Sequence, residues 1–458
     1  MDQALGKAER EIIGDIWTSQ EAYDNLVIMC DDFGSRFGGT PSEKQAVDFM
    51  LGKLTEYGLD KPRVEPFAYN GWKRGSASLR MLEPRQASFD CIGLPYAPTA
   101  QVKGELVFVG EGSPEDYEKA KERIHGNIVM VSTKTPQFMR RTMHRLEKYG
   151  RALEAGAAAF IWMREEPGLL PETGSIKFNG EAKIPAVGVS KEVGASLLRQ
   201  MKKGPVTMEL ATENVNEPMT SWNVMAEITG YAEPEKVIVV GAHFDGHDIA
   251  PGAMDDGSGA VVTMEAARAL AQHKEHFPKT VRFILFPLEE MGLIGSHAYV
   301  DAHPEEMKNV EFMLNLDGAG RPGDSSVVLQ GWKELIPVFG QLNDTMKESF
   351  SVRNRISPYS DMYPFVLEGV PAATIASESG GPRGARGWGH TAADTLDKVS
   401  PRGLQKDALL VARILLHLVN GLEHWPAAHK PKEEIKKLLD EEELLEVLKY
   451  EERYPFDQ

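Results

Sequence analysis

The chain has 458 residues, of which 42% are hydrophobic and 26% are charged, and this is the composition of a soluble globular protein. Because that length exceeds what one ordinary hydrophobic core organises, we expect two or three domains. The formal net charge of −17 argues against binding to nucleic acid and against docking on anionic membranes, since like charges repel. We therefore expect no nucleic acid and no membrane among the partners.

The sequence also bears on location and on redox chemistry. It contains no run of about 18 apolar residues that could cross a membrane. Its first residues carry charges where a secretory signal needs an apolar core, which predicts a cytoplasmic protein unless a leader has been removed. The two cysteines, Cys30 and Cys91, are too few for a disulfide framework or a thiolate metal site. Buried thiols are favoured over one bridge between them.

The first hundred residues predict helices followed by short strands. One helix begins at Thr40, which can cap it, and Pro41 suits the first turn. Glu43 can reach back to complete a capping box, and Gly58 ends the amphipathic pattern.

Beyond residue 100 the pattern changes to short apolar strands between polar loops. These strands are GELVFVG, GNIVMVS, AAAFIWM and IPAVGVS, with the helical stretch RALEAGA leading into the third. The pattern predicts a small β-rich domain at 101–206. We expect it to be inserted in a larger catalytic domain made of 1–100 and 207–458.

The catalytic part alternates between strands and helices, as a doubly wound α/β sheet requires. Its strands include VIVVGAH, VRFILFPL and EFMLNL, and the helical pattern GAVVTMEAARALAQH follows the first of them. The near-continuous apolar strands predict a mixed, mainly parallel sheet with helices on both faces. The tail at 433–453 predicts an amphipathic helix that packs on its own domain or forms a homodimer.

Five candidate metal ligands occur in one order along the chain, the first four at or just past the ends of apolar runs and the last in a glycine-rich loop: His243, Asp255, Glu290, Asp317 and His390. Open α/β sheets bind ligands beyond the carboxyl ends of their strands, so we expect these side chains to lie together. Taken singly, each is also compatible with an ordinary turn, cap or surface loop. Read in order, they predict a metal site with one carboxylate shared by two ions.

Glu289 and Glu290 give the most specific local signal. They close a buried apolar strand, and consecutive residues at a strand end point to opposite sides. One can therefore coordinate metal while the other accepts a proton from an attacking water. Asp245 is placed to orient His243 in support of this catalytic set. Of the adjacent acids Asp255 and Asp256, one is expected to cap the following helix and Asp255 to bridge the ions.

The donor set indicates which metals fit. Nitrogen and oxygen ligands without thiolate suit zinc, although manganese or cobalt would also fit. Two ions roughly 3.5 to 4 Å apart polarise a carbonyl and activate water, which predicts hydrolysis.

Four blocks of sequence, HFDGHDIAPGAMDDGSG, PLEEMGLIGS, LNLDGAG and GWGHTAADT, resemble the co-catalytic zinc peptidases of the aminopeptidase and glutamate carboxypeptidase family. The first block and GVPAATI at 369–375 are most similar to its glutamate carboxypeptidases, and the insertion resembles a protease-associated domain. By matching positions, the resemblance implies that one metal is held by His243 and Asp317 and the other by Glu290 and His390. It implies Asp255 as the bridge and Glu289 as the general base.

The substrate contacts are less well defined. In SPYSDMYPF many relatives have a histidine where this chain has Met362. Tyr359 and Asp361 are candidates for contact with substrate there, or belong to a packed loop. Arg383 and Arg386 are candidates for binding a substrate carboxylate, or belong to a solvated loop.

Together these features predict a metal-dependent exopeptidase that uses two divalent ions per chain, zinc in the first place, and hydrolyses short peptides or dipeptides. Aminopeptidase action is the first choice, followed by dipeptidase or carboxypeptidase action. A glutaminyl cyclase with one zinc and a non-catalytic, receptor-like binding protein are the alternatives.

Overall fold

The structure, a computed structural model, describes residues 3–321, 323–347, 350–377, 387–421 and 427–456. Its strands in chain order are β1 (Asp60–Glu83), β2 (Ala87–Phe89), β3 (Ile92–Gly93), β4 (Ala100–Phe108), β5 (Ile128–Ser132), β6 (Ala159–Met163), β7 (Ala186–Val189), β8 (Thr207–Ile228), β9 (Glu233–His243), β10 (Lys279–Phe286), β11 (Val310–Leu316), β12 (Ser325–Leu329), β13 (Ser351–Asn354) and β14 (Ala372–Ser377).

The α-helices are α1 (Gln3–Thr18), α2 (Glu21–Val27), α3 (Pro41–Glu56), α4 (Pro114–Ile124), α5 (Arg145–Glu154), α6 (Lys191–Met201), α7 (Ser258–Ala271), α8 (Ile294–Ala302), α9 (Pro304–Met307), α10 (Ile336–Met346), α11 (Met362–Leu367), α12 (Pro401–Asn420), α13 (Lys432–Glu441) and α14 (Leu445–Tyr450). Short 3-10 helices lie at Lys274–His276, Lys333–Leu335 and Leu396–Lys398, and π-helical turns at Ile28–Phe33 and Ala253–Gly257. No described helix is long and apolar enough to cross a membrane.

The sheet of the catalytic part has a parallel centre. β9 lies between β10 and β11 and is parallel to both, and β14 continues the parallel set beyond β11. Antiparallel neighbours flank this set, β8 next to β10 and β12 next to β14. Helices α1, α2, α7 and α12 contact one another in one group, and α8 contacts α11 in another. The predicted mixed, mainly parallel α/β fold is confirmed.

Two strands are far longer than the sequence pattern suggested. β1 and β8 span 24 and 22 residues and pair antiparallel along most of their length. The prediction of short strands before residue 100 is therefore wrong for β1. Its pairing with β8 continues the strand through each local break in the apolar pattern. The pair joins the catalytic sheet to the insertion.

The insertion forms its own parallel sheet from β4, β5, β6 and β7. β5, β6 and β7 are entirely buried, and two apolar clusters of the insertion lie on this sheet. Because β4 also pairs with β8, the described sheet is continuous through both parts of the chain. The boundaries at 101 and 206 stay predictions.

The helix predicted after Thr40 is α3, and the Thr40 hydroxyl accepts a hydrogen bond from the backbone N–H of Glu43. The Glu43 carboxylate takes a different partner from the one expected for a capping box. It accepts from Gly39 N at 2.7 Å, one residue before the cap, and also contacts the Ser221 hydroxyl of β8. The helix ends at Glu56, and Gly58 follows with φ 75°.

The single helix predicted at 433–453 is divided into α13 and α14, so that prediction is wrong. Glu443, between them, has a left-handed backbone with φ 58°, which ends the first helix. The predicted apolar stripe is buried against the chain itself, with Ile435, Leu439 and Leu448 fully enclosed. α14 packs on α5 of the insertion, so the tail bridges the two parts of the molecule.

The two thiols are free, with Cys30 buried and Cys91 half-buried. Burial raises the pKa of each of these thiols to about 11.

Candidate metal centre

Three neighbouring parallel strands deliver acids and a histidine to the same edge of the sheet. His243 is the last residue of β9, Asp317 directly follows β11, and Glu289 and Glu290 follow β10 within four residues. Asp255 lies in the turn that precedes α7, and His390 lies in the loop before α12. The structure therefore brings together the five ligands and the additional acid that the sequence singled out.

The potential ligands form two groups. His243, Asp255 and Asp317 make one group, and His247, Glu290 and His390 make the other, with ligand atoms of each group within 4.8 Å of one another. His247 was missed in the sequence, where the only signal was a second histidine in the glycine-rich loop after β9. Its Nε2 lies 2.9 Å from Glu290 Oε2, and its ring centroid is 4.4 Å from that of His390.

Asp255 lies between the two groups. One carboxylate oxygen, Oδ1, is 3.6 Å from His243 Nε2, and the other, Oδ2, is 3.3 Å from His390 Nε2. This is the placement that a carboxylate shared by two cations requires.

Several buried polar atoms fit a site for cations. Among the described residues, His243 Nε2, His247 Nε2 and Glu290 Oε1 make no hydrogen bond of good geometry although each is enclosed. Buried polar atoms left without such partners are uncommon in proteins, and a bound ion is one standard explanation. The donor set of imidazole nitrogens and carboxylate oxygens fits two divalent metals.

Two ligand histidines are oriented through their other ring nitrogen. His243 Nδ1 is 3.0 Å from the backbone carbonyl of Asp245, and His390 Nδ1 is 3.2 Å from that of Thr173. A proton on each Nδ1, donated to these carbonyls, directs both Nε2 atoms inwards. Thr173 belongs to the insertion, so the insertion orients a candidate ligand of the catalytic part.

Asp245 supports the site mainly through the end of β10 rather than through His243. Its carboxylate accepts hydrogen bonds from the backbone N–H groups of Glu289 at 3.1 Å and Glu290 at 3.3 Å. Its Oδ1 is 3.4 Å from His243 Nδ1, further than the carbonyl of the same residue. Leu288, just before the two acids, has φ 62°, a backbone conformation that bulky residues adopt only where the surroundings enforce it.

The adjacent acids Asp255 and Asp256, in the turn before α7, have different contacts. Asp256 is fully buried, and its Oδ1 accepts from Gly259 N at 3.0 Å and Gly318 N at 2.7 Å. It thus caps the first turn of α7, as expected for one of the pair. The backbone N–H of Asp255 donates to Asp394 at 3.2 Å, so Asp394 holds Asp255 in place.

Arg36 was missed in the sequence and organises the loop between β9 and α7. Its side chain is fully buried and donates to the backbone carbonyls of Phe244, Pro251 and Gly252 at 2.6 to 2.9 Å. A guanidinium can satisfy several carbonyls at once because it presents five donors in one plane. Nothing near Arg36 in the sequence signals this contact, which spans more than 200 residues.

Of the predicted substrate contacts, Asp361 stays a prediction, and its surroundings are those of an enclosed side chain. It is fully buried, accepts a hydrogen bond from the Ser296 hydroxyl at 2.6 Å and lines neither cavity next to the ligands. Burial raises the pKa of Asp361 to about 7. The neighbouring Ser360 instead donates to Asp317 Oδ2 at 2.8 Å and so holds a candidate ligand. Arg383 and Arg386 lie outside the described residues.

A small cavity of about 60 Å³ opens onto the ligands, and the insertion forms part of its wall. His144, Arg145 and Phe178 of the insertion face Glu289 and the ligand groups across it. Ser175, also of the insertion, donates to the backbone carbonyl of Glu290 at 2.5 Å. The cavity is therefore closed by residues that lie more than a hundred positions before Glu289 in the chain.

Tyr359, a candidate for substrate contact, lines this cavity and is fixed from two sides. Its ring stacks on His144 with centroids 4.2 Å apart, and its hydroxyl donates to Glu451 at 2.8 Å. Glu451 follows α14 and is buried, and burial raises its pKa to about 7. The C-terminal tail thus holds an aromatic wall of the site.

The pKa values of the adjacent acids Glu289 and Glu290 shift in opposite directions. Burial raises the pKa of Glu289 well above its ordinary value, and the nearby carboxylates of Glu290 and Asp317 add to this. Burial acts in the same direction on Glu290, but His247 and His390 outweigh it and lower that pKa. Glu289 belongs to neither ligand group and faces the cavity, as a proton acceptor must.

A larger cavity of about 430 Å³ adjoins the small one, since both are lined by Asp255, Asp317, His144 and Tyr359. Met362, the departure noted in the sequence, contributes an apolar wall to it. Its remaining walls carry the cationic side chains of Arg141, Arg321 and Arg355.

A mainly parallel α/β sheet with two ligand groups around a shared carboxylate defines the class of co-catalytic metallohydrolases. Residues 223–415 match the model of peptidase family M28, and residues 102–197 match that of the PA domain. The chain is therefore similar to peptidase family M28 over the larger piece of its catalytic part and to the PA domain over most of its insertion.

The chain is similar to known peptidases. It is 29% identical to carboxypeptidase Q of Xenopus laevis over 304 residues, covering 65% of this chain and 64% of that protein, which is less than two thirds. It is 27% identical to aminopeptidase YwaD of Bacillus subtilis over 436 residues, covering 91% of this chain and 87% of that protein.

Solved structures agree in fold. An aminopeptidase from Aneurinibacillus sp. strain AM-1 matches with a TM-score of 0.68 and 26% identity, covering 92% of this chain and 98% of that one. A peptidase M28 precursor from Shewanella amazonensis matches with a TM-score of 0.80 and 23% identity, covering 94% of this chain and 100% of that one. This match shows the shared fold.

Proposed function

We propose that the protein is a two-metal exopeptidase that hydrolyses short peptides, with aminopeptidase action as the first choice. The observation that carries this proposal is the position of Asp255 between two groups of ligands, with Glu289 facing the same small cavity. The names of the aminopeptidase relatives support the choice of reaction.

The ligands would be divided between two ions, with zinc as the proposed metal. His243 and Asp317 would hold one ion, Glu290 and His390 with His247 beside them the other, and Asp255 would contact both. When bound, the ions supply polarisation of the scissile carbonyl and a lower pKa for an attacking water.

Glu289 is the proposed general base. Its carboxylate takes a proton from the attacking water and later gives it to the nitrogen of the leaving group. Asp245 keeps it in place through the hydrogen bond to its backbone N–H, and so acts as a positioning residue.

The size of the site supports a short substrate. The cavity next to the ligands is about 60 Å³ and adjoins one of about 430 Å³, and the insertion closes one side of the smaller one. Glu289 and Asp317 line this cavity and would attract the free ammonium group of a peptide. Peptides are the proposed substrates, and a homodimer and a cytoplasmic location stay predictions from the sequence.

A panel of matched peptides tests the proposal. The metal-loaded protein is given dipeptides with both ends free, the same dipeptides with an acetylated amino end, and longer peptides with a glutaminyl amino end. We expect hydrolysis of the free dipeptides, loss of hydrolysis on acetylation, and no turnover after chelation. Cleavage of acetylated peptides at an equal rate would contradict aminopeptidase action, and cyclisation of the glutaminyl peptides without hydrolysis would contradict exopeptidase action.

A further inference from the structure

We propose that residues 172–176 of the insertion position the ligand group of one ion only, the group made of His247, Glu290 and His390, so that the insertion sets the affinity of that ion. The inference rests on the proposed two-metal site and concerns what holds one half of it in place. It makes the insertion a part of the metal centre, which cannot move away from the site without weakening an ion.

Two members of this ligand group are attached to the segment directly. The Thr173 N–H donates to the backbone carbonyl of His390 at 2.9 Å, and the Thr173 carbonyl lies 3.2 Å from His390 Nδ1, whose proton it accepts. A hydrogen bond at Nδ1 fixes the ring orientation that presents Nε2 to a metal. The Ser175 hydroxyl donates to the backbone carbonyl of Glu290 at 2.5 Å. Thr173 and Ser175 are fully buried, so water does not compete for these hydrogen bonds.

The third member, His247, is connected to the segment through β1. Arg74 of β1 donates to the carboxylate of Asp248, the residue after His247, at 2.6 and 2.8 Å. The same guanidinium lies 3.4 Å from the Thr173 hydroxyl. The three loops that carry this ligand group therefore all meet at residues 173–175.

The segment is fixed within the insertion by contacts of its own. Arg145 of α5 donates from Nε to the Ser175 carbonyl at 3.0 Å, and Trp162 of β6 donates from its indole N–H to the Glu172 carboxylate at 3.0 Å. Gly174 has φ 135°, and the Arg145 guanidinium occupies the space that a side chain at position 174 would take. The segment therefore moves only with the sheet and helix of the insertion.

The ligands of the other ion are supported without the insertion. His243 Nδ1 lies 3.0 Å from the backbone carbonyl of Asp245, and Asp317 accepts from the Ser360 hydroxyl at 2.8 Å. These supports all belong to the catalytic part. No hydrogen bond or ion pair joins His243 or Asp317 to residues 101–206 in the described part of the chain. The insertion thus acts on one half of the metal centre.

The experiment measures zinc affinity rather than turnover. Zinc is titrated, in competition with a chelator, into wild type, Ser175→Ala and Gly174→Ala. We expect one of the two affinities to fall by about tenfold in Ser175→Ala, the low end for loss of a group that orients a ligand, and further in Gly174→Ala, where the methyl group displaces the segment. The other affinity should not change. Ser190→Ala is the matched control, since Ser190 is a buried serine of the insertion whose hydroxyl caps α6.

Two further variants identify the ion that responds. His390→Ala disables the site supported by the insertion, and His243→Ala disables the other one. Ser175→Ala should weaken the remaining zinc about tenfold when combined with His243→Ala, and should leave it unchanged when combined with His390→Ala. In a protein that binds two ions, equal effects on both, or no effect on either, would overturn the inference and leave the exopeptidase proposal intact. A wild type that binds only one ion would overturn both.

Discussion

The backbone N–H of Glu289 donates to Oδ1 of Asp245 at 3.1 Å, and the next N–H along the chain donates to Oδ2 of the same carboxylate at 3.3 Å. Asp245 follows β9 and Glu289 follows β10, so one buried carboxylate ties the ends of two neighbouring strands together. The proposed base and its adjacent ligand are therefore positioned by the same residue.

Asp245→Asn should weaken both metal binding and turnover. Asparagine keeps the size of the side chain but offers one acceptor oxygen in place of two, so one of the two N–H groups loses its partner. We expect metal affinity, measured by competition with a chelator, and kcat to fall by about 10- to 100-fold. The control is Asp31→Asn at an exposed position. Unchanged metal affinity and unchanged kcat would show that the two hydrogen bonds to the Asp245 carboxylate are dispensable.

His247→Ala tests whether the histidine missed in the sequence holds metal. Its Nε2 faces Glu290 at 2.9 Å, and both ring nitrogens are buried without a hydrogen bond among the described residues. We expect one of the two ions to bind at least about tenfold more weakly, as seen in a metal titration, with the other ion little affected. His125→Ala, at an exposed imidazole in the insertion, is the control. Two unaltered affinities would place His247 outside the metal centre.

Glu9 provides a prediction about pH and stability away from the site. Its carboxylate accepts from Arg413 Nε at 2.8 Å and lies 3.1 Å from His417 Nε2, and the hydrogen bond to His417 is the main cause that lowers its pKa from 4.5 to about 2. Because the folded pKa is the lower one, this stabilisation is complete above pH 4.5 and is lost as the pH falls towards 2.

The measurement for this prediction is urea unfolding of metal-free wild type and Glu9→Gln across that pH range. We expect the variant to be less stable by about 2 kcal/mol at pH 7, with the difference shrinking below pH 4.5. Glu11→Gln, which removes an exposed pair with Lys7, should differ little from the wild type at any pH. A difference that stays constant down to pH 3 would argue against a lowered pKa at Glu9.

The alternation of the sequence predicted the fold of the catalytic part because buried parallel strands are continuous apolar runs. β9, β10 and β11 were all identified from such runs, and their order in the sheet places the following polar residues together. The length of β1 could not be predicted in the same way. Its strand character comes from pairing with β8, whose residues lie more than a hundred positions away.

Four of the candidate ligands were predictable because each stands at or near a boundary between an apolar element and a loop, and His390 because it stands in a glycine-rich loop. Their supports were not, since they are made by tertiary contacts: Arg36 to the loop after β9, Thr173 to His390, and Ser360 to Asp317. Asp361 shows the converse case. A polar residue near the predicted pocket looked available to substrate, but in the fold it is buried beside Ser296. The roles of the ligands stay predictions until the metal is measured.

The proposed roles of Glu289 as the general base and Glu290 as a metal ligand are tested most directly by the turnover of Glu289→Gln at the metal content of the wild type. Both proteins are loaded with zinc, their content is determined by elemental analysis, and kcat is measured on a free dipeptide. We expect two ions per chain in each protein and a fall in kcat of about 10²- to 10⁴-fold in the variant, because glutamine cannot accept the proton of the attacking water. Wild-type kcat in a Glu289→Gln protein that holds two ions would contradict Glu289 as the general base.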